Sequence, residues 1–177
     1  MVSEITAQET NRNIQTATTD DDDENEDTQK DKYLTFHIAE EDYGIEISCV
    51  TEIVGMQHIS EIPEMPAFIK GVINLRGVVI PVMDVRLRFG MAPRAYDERT
   101  CVVVVRMGET AVGLIVDTVK EVLGIPESSI TEPPRVASAK GARYVKGIGR
   151  MDGSVKILLD IDALLHEEEK EILTAIV

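Results

Sequence analysis

The sequence predicts an all-β protein built mainly from two small barrels that lie side by side. Short apolar runs follow one another at close intervals and are separated by turns that contain glycine and aspartate. Residues 68–85 align with residues 144–161, and residues 44–55 align in the same way with residues 113–124. One module of small strands therefore occurs twice in the chain, which favours two lobes with a shared core.

The first 32 residues are predicted to form a disordered acidic tail. They hold ten acidic and three basic side chains and few apolar ones, so ordering them would not be offset by burial. No signal peptide or membrane-spanning run is recognisable, and a cytoplasmic location is expected. The formal net charge of -14 would repel phosphates, which argues against a nucleic-acid partner.

The first lobe is assigned to residues 33–90. Leu34, Phe36 and Ile38 alternate with polar residues and predict a half-buried hairpin with the following strand at residues 45–47. Strands are predicted at 71–75 and 78–83, around a turn at residues 74–77. Half-buried strands of this kind would bury one face of the lobe.

The second lobe is assigned to residues 91–160. Its opening hairpin, CVVVVRM followed by AVGLIVD, is apolar almost throughout and is expected to be buried on both faces. Strands are predicted at 147–151 and 154–159, around Asp152 and Gly153. Cys49 and Cys101 lie among apolar neighbours and are expected to stay reduced.

Helical spacing is predicted at three places. Apolar residues at 50, 53 and 54, and again at 119, 122 and 123, predict a helical turn after each hairpin. Residues 161–177 are predicted to form a C-terminal helix that packs on the barrels through Ile161, Leu164, Leu165, Ile172 and Ile176. Asp84 and Asp160 follow equivalent strands and are predicted to be structural caps.

The sequence contains no recognisable catalytic constellation. The three histidines are not at metal-ligand spacing, and no phosphate-binding glycine loop is present. Asp84 and Asp160 could serve as paired carboxylates in a hydrolase, but capping explains both positions better. We therefore expect no catalytic residue, no metal and no cofactor. A barrel module for peptides or single strands would need a basic, aromatic groove, which this composition disfavours.

Arg76 marks a difference between the two copies that points to a candidate binding surface. Only the first copy has an arginine before its turn glycine, and Glu52 of the same lobe is a plausible ion-pair partner. Arg76 could be a solvated turn residue whose pair contributes ~0.2–1 kcal/mol. The alternative is that it belongs to a surface on which another protein docks, where a planar guanidinium gives direction.

The segments YGIEISCVTEI, PAFIKGVINLRGVVIPVMDVR and VGLIVDTVKEVL resemble the CheW family of chemotaxis coupling proteins, over residues 33–165. The resemblance implies two intertwined SH3-like five-stranded barrels and no enzymatic activity. It also implies an adaptor that joins the cytoplasmic tips of methyl-accepting chemoreceptors to the regulatory domain of the histidine kinase CheA, in arrays at the membrane. The alternative is a paralogous adaptor of a type IV pilus or other chemosensory-like kinase system.

The same resemblance implies a role for individual residues. The receptor-binding positions would be Val50, Glu52, Ile53, Cys101 and Val102. The kinase-binding positions would be Gly71, Arg76 and Gly77. Glu52 and Arg76 would then be paired at a docking surface.

Overall fold

The computed structural model describes residues 28–133 and 142–177, and these residues form eleven strands. The strands are β1 (Lys32–Ile38), β2 (Glu41–Glu46), β3 (Val50–Gly55), β4 (Ile69–Leu75), β5 (Val78–Asp84), β6 (Cys101–Met107), β7 (Thr110–Val116), β8 (Thr118–Gly124), β9 (Ile130–Thr131), β10 (Val145–Met151) and β11 (Ser154–Leu159). Helix α1 is Val85–Arg88, and helix α2 is Glu167–Ile176. Short 3-10 turns lie at Ile47–Cys49, Glu127–Ser129, Ala142–Tyr144 and Ile161–Leu164.

The strands form two sheets that exchange elements between the halves of the chain. The five-stranded sheet has the order β3-β6-β7-β5-β4, and the six-stranded sheet has the order β8-β1-β2-β11-β10-β9. Strands β1 and β2 thus lie with the late strands, whereas β6 and β7 lie with the early ones. This arrangement confirms the predicted all-β, intertwined fold.

Among the described residues, strand pairing closes neither sheet into a complete barrel. In the five-stranded sheet, edge strand β4 is joined to the segment after β3 by an isolated bridge between Ser60 and Val72. The corresponding contact in the six-stranded sheet is the short strand β9, which pairs with β10 through Thr131 and Ile148. Both sheets are therefore curled, open versions of the predicted barrels and agree with an SH3-like fold.

The largest hydrophobic core lies between the two sheets. It includes Phe36 and Ile45 of the six-stranded sheet and Val103 and Leu114 of the five-stranded sheet. A second core around Ile73, Val82, Val102 and Val104 fills the five-stranded sheet, and a small third one around Tyr33, Ile125 and Leu158 fills the six-stranded sheet. The shared core explains why the two halves fold as one body.

The predicted helical turns at residues 50–54 and 119–123 are wrong, because both segments are strands. Strand β3 pairs with β6 in a register that shifts between Val50 and Glu52. Strand β8 pairs with β1 in a register that places Val119 opposite Phe36 and Val122 opposite Leu34. Three residues of β8 therefore span two residues of β1. A β-bulge inserts one residue and changes the apolar spacing from two to three, which imitates a helix.

The predicted C-terminal helix is interrupted. A 3-10 turn covers Ile161–Leu164, Leu165 and His166 are extended, and α2 begins only at Glu167. The interruption changes the helical phase, so Leu173 is buried and Ile172 is 46% exposed, contrary to the prediction.

Of the predicted N-terminal tail, residues 1–27 lie outside the described residues.

Candidate docking surface

Arg76 and Glu52 form an ion pair across the curled five-stranded sheet. Arg76 Nη2 donates to Glu52 Oε2. Arg76 lies on the β4–β5 turn, Glu52 lies on β3, and β3 and β4 are the opposite edge strands of this sheet. The pair proposed from the sequence is therefore present, and it joins two edges that strand pairing leaves apart.

The turn that carries Arg76 is tightly defined. Arg76 and Gly77 have φ angles of 52° and 86°, so both are left-handed, as a two-residue type I′ hairpin turn requires. The amide of Gly77 donates to Asn74 Oδ1 at 2.8 Å. These constraints present the guanidinium at the tip of the hairpin, where the Arg76 side chain is 70% exposed.

The hydrogen bond between the two side chains also affects their ionisation. It lowers the pKa of Glu52, and it raises the pKa of Arg76. Both groups are thus charged at neutral pH. In the exposed setting the pair is better suited to fixing orientation than to stabilising the fold.

Exposed apolar residues follow each member of the pair closely in the sequence. Ile53 follows Glu52 on the edge strand and is 42% exposed, and Val78 and Val79 follow the turn at 58% and 41%. Val50 and Cys101 are half-buried at the two ends of the paired strands β3 and β6. An exposed ion pair with apolar neighbours can dock a partner, because the apolar area gives affinity and the fixed charge gives register.

Two predicted binding residues are buried. Val102 is 0% exposed in the core of the five-stranded sheet. Gly71 has a φ of 139°, and a Cβ there would lie 2.1 Å from the Ser60 carbonyl oxygen. In this conformation neither residue offers a side chain to a partner, so any role in docking passes through the neighbours that they position.

The second copy presents the same surface with different charges. Asp152 takes the place of Arg76 and Glu121 takes the place of Glu52, so two acids replace an ion pair. Val122 and Val155 are nevertheless 48% and 47% exposed, as their counterparts are. The two copies therefore share exposed apolar positions and differ in charge.

A partly buried ionic cluster in the six-stranded sheet was not predicted from the sequence. Asp42 accepts from Lys156 Nζ at 2.5 Å, His37 Nδ1 at 2.7 Å and Lys120 Nζ at 3.1 Å. Burial alone would raise the pKa of Asp42, but the hydrogen bonds from Lys156, His37 and Lys120 outweigh it and hold this pKa well below its usual value. The only sequence signal is Lys156, which aligns with the buried Ile80 of the first copy.

The two candidate carboxylates are engaged in capping. Asp84 is the N-cap of α1 and accepts from the Leu87 amide at 3.3 Å and from the Tyr96 hydroxyl at 2.7 Å. Asp160 accepts from the Asp162 amide at 3.0 Å at the start of the 3-10 turn. Their local geometry satisfies helix-end donors, as the sequence analysis proposed.

Other features bear on function classes. Cys49 and Cys101 are free thiols. Within residues 28–133 and 142–177, no group of three or more histidine, cysteine or acidic side chains is placed to hold a metal. No helix in this part of the chain is long and apolar enough to cross a membrane.

Comparison with known proteins identifies the family. Residues 32–169 match the model of the CheW-like domain. The chain is 39% identical over 143 residues to the chemotaxis protein CheW of Klebsiella aerogenes, and the alignment covers 81% of this chain and 86% of the relative. It is 32% identical over 140 residues to the chemotaxis protein CheW of Treponema pallidum, and that alignment covers 77% of this chain and 82% of the relative.

A solved structure agrees with the sequence relatives. The crystal structure of the scaffolding protein TtCheW from Thermoanaerobacter tengcongensis superposes with a TM-score of 0.75 at 40% identity, covering 81% of this chain and 97% of that one. The CheW family consists of scaffolding adaptors and is not a catalytic family. Since the fold, the family model and these relatives agree, the chain belongs to the CheW family of adaptor proteins.

Proposed function

We propose that this protein couples methyl-accepting chemoreceptors to a CheA-type histidine kinase and thereby regulates the kinase. The observation that carries the proposal is the ion pair between Arg76 and Glu52, held at an exposed turn with apolar neighbours. The protein would act in the cytoplasm and reach the membrane through its receptors. Membership of the CheW family supports this role, because the TtCheW relative is named a scaffolding protein.

The receptor would contact strand β3 and its neighbour β6. A helical hairpin with an apolar stripe would pack against the exposed Ile53 and the half-buried Val50 and Cys101, as an amphipathic helix packs in a groove. Glu52 would lie at the border of this contact. An interface of standard size would bury ~800 Å² on each partner.

The kinase would contact the β4–β5 turn. Among residues 28–133 and 142–177, the Arg76 guanidinium donates one side-chain hydrogen bond, to Glu52, and a carboxylate or carbonyl of the partner can accept from its other donors. Because Glu52 and Arg76 are bonded to each other, the receptor contact on β3 and the kinase contact on the turn share one ion pair. Displacement of either residue by its partner would change the affinity of the other contact, which is the requirement for coupling.

The proposal is tested by reconstituting receptor fragments, a CheA-type kinase and the Arg76→Asn variant. Asparagine tolerates the left-handed backbone of this turn, so the substitution removes the charge and keeps the hairpin. The matched control is Asp152→Asn at the equivalent turn of the second copy. We expect receptor-stimulated kinase activity to fall at least fivefold with Arg76→Asn and to change less than twofold with the control. Full stimulation by a folded Arg76→Asn variant would contradict the assignment.

A second candidate function is favoured by one comparison. The chain is also 27% identical over 137 residues to Protein FrzA of Myxococcus xanthus, a relative not named as a chemotaxis protein. The chain would then serve a type IV pilus or other chemosensory-like kinase system through the same surface. Pull-down of each type of kinase with the purified chain separates the two functions, because the true partner should be retained preferentially.

A further inference from the structure

Arg88 lies at the seam between the two sheets. Its guanidinium carbon is 4.2 Å from the centre of the Phe68 ring and 5.3 Å from the centre of the Tyr144 ring. Phe68 immediately precedes β4 of the five-stranded sheet, and Tyr144 immediately precedes β10 of the six-stranded sheet. The two rings are equivalent in the repeat, so a single cation contacts corresponding positions of both copies.

The C-terminal helix supplies the counter-charge. Arg88 Nη1 and Nη2 donate to the two carboxylate oxygens of Glu169 at 3.1 and 3.0 Å. The Arg88 side chain is 6% exposed and that of Glu169 is 17% exposed. Glu169 is itself oriented by the His166 amide, which donates to it at 2.7 Å. The planar two-point contact therefore has little freedom to rotate.

Stability alone does not account for this arrangement. A buried ion pair contributes less to stability than well-packed apolar residues often do, because both charges lose their hydration. In addition, Arg88 Nε is a buried atom that lacks a hydrogen-bond partner among the described residues. The second copy has Leu164 at the aligned position, and this leucine is fully buried, so an apolar residue fits an equivalent environment.

We propose that Arg88 is a positioning residue that holds the start of β4, the strand that leads to the Arg76 turn, against the six-stranded sheet, and that Glu169 of the C-terminal helix keeps Arg88 in place so that receptor contact on β3 is transmitted to the kinase contact on that turn. The inference rests on the proposed adaptor function and adds to it an element, α2, that lies away from the Arg76 turn in the chain. The aromatic rings extend the contact into the core, since Phe89 lies 5.5 Å from Tyr144 and 5.5 Å from Tyr43, between ring centres.

We call the contact of Arg88 with Phe68, Tyr144 and Glu169 the clamp. Amide hydrogen exchange of the isolated protein tests it without a binding partner. The Asp84 amide donates to the Phe68 carbonyl and the Asp160 amide donates to the Tyr144 carbonyl, both at 2.8 Å, so these amides report on the backbone of each ring. We expect Glu169→Gln to accelerate the exchange of both amides at least tenfold. The control is Glu168→Gln, a neighbouring exposed carboxylate on α2, which should leave both rates unchanged. Equal rates in Glu169→Gln and wild type would overturn the clamp.

Reconstitution then separates positioning from simple stabilisation. The double variant Arg88→Met with Glu169→Gln removes both charges and keeps an acceptor for the His166 amide at the start of α2, so it should melt close to the wild-type temperature. It should bind a receptor fragment and a CheA-type kinase separately with affinities within twofold of wild type. Receptor-stimulated kinase activity should nevertheless fall at least fivefold. Normal stimulation by this stable variant would show that the pair is only structural and would overturn the inference.

The wild-type chain in the same assay distinguishes the two hypotheses. If wild type binds neither partner, the proposed adaptor function fails and the inference about transmission fails with it. If wild type couples and the double variant also couples, only the inference fails.

Discussion

Arg76 and Asp152 occupy the same position of two equivalent hairpin turns, with φ angles of 52° and 50°, and carry opposite charges. Each is followed by a left-handed glycine, Gly77 or Gly153, at 86° and 75°. The backbone of the repeat is thus preserved at this point while its charge is reversed. Differences in binding between the two turns should therefore come from their side chains and not from their backbone.

The turn glycines should contribute equally to stability. Gly77→Ala and Gly153→Ala each force a side chain into the left-handed region, which costs about 1–2 kcal/mol per residue. Urea unfolding should show both variants less stable than wild type by that amount. Gly55→Ala is the control, because its Cβ would have no neighbour within 4 Å and its φ is not left-handed. A loss confined to one of the two turns would show that the turns are not equivalent.

Gly71→Ala should be more damaging than either turn substitution. Its φ of 139° disfavours a side chain, and a Cβ would meet the Ser60 carbonyl oxygen at 2.1 Å. That oxygen accepts from the Val72 amide at 2.9 Å, so relief of the clash must break the bridge to β4. Strained backbone and overpacking each cost about 1–3 kcal/mol, and we expect a loss of about 3 kcal/mol in urea unfolding.

The same variant bears on the predicted kinase contact. If Gly71 acts only by shaping the sheet, then loss of kinase binding should follow the fraction of unfolded Gly71→Ala and should recover under stabilising osmolytes. Kinase binding that stays lost in the refolded variant would instead place the partner directly at this glycine.

Asp42→Asn should strongly destabilise the six-stranded sheet. Lys156 is 6% exposed, and removal of its carboxylate leaves a buried charge without compensation, which costs about 3–5 kcal/mol. Lys156→Met places an apolar residue where the first copy has Ile80. The double variant Asp42→Asn with Lys156→Met should therefore be much more stable than Asp42→Asn alone. Thermal unfolding of the two single variants and the double variant checks this, since additive losses would contradict coupling between the charges.

The same cluster predicts a pH dependence. The folded pKa of Asp42 lies below its usual value, so its charge stabilises the fold above the unfolded pKa of about 3.9 and the contribution is lost as the pH falls below that value. The acid limb of stability below about pH 5 should therefore be shallower in Asp42→Asn than in wild type. Glu40→Gln, at an exposed neighbouring position, should keep the wild-type slope.

The two capping aspartates should differ in their contributions. Asp84→Ala removes a cap, worth about 0.5–2 kcal/mol, together with the hydrogen bond from Tyr96, worth about 1 kcal/mol. Asp160→Ala removes only a cap at an exposed site. Chemical denaturation should show the larger loss for Asp84→Ala, and Tyr96→Phe should reproduce most of the difference. Equal losses would mean that Tyr96 adds nothing.

The strands and turns with regular alternation were predictable from the sequence, because burial of one face imposes a period of two. The first hairpin of the chain, with Leu34, Phe36 and Ile38 on one face, follows from that rule. The strands β6 and β7 are buried on both faces and were predictable instead from their continuous apolar runs. The bulged strands β3 and β8 were not predictable in this way, since an inserted residue gives an apolar spacing that a helix also shows. Pairing with β6 and β1 decides the outcome, and sequence spacing does not report it.

The candidate site was predictable only in part. The pair of Arg76 and Glu52 could be proposed because the repeat isolates an unmatched arginine. The cluster at Asp42 and the clamp at Arg88 could not, because each unites residues from distant parts of the chain. Lys156 is 114 residues from Asp42, and Glu169 is 81 residues from Arg88. A charged residue at a buried position is a weak signal until its partner is known.

The exchange of strands between the sheets has a consequence for how the molecule is made. Strand β2 is joined in parallel to β11, with Gly44 opposite Leu158, so the six-stranded sheet cannot be completed until β11 has left the ribosome. Contacts this distant in sequence are slow to form. A protein cut between its two repeats would leave each fragment with unpaired edges, so we expect neither half to fold when it is expressed alone.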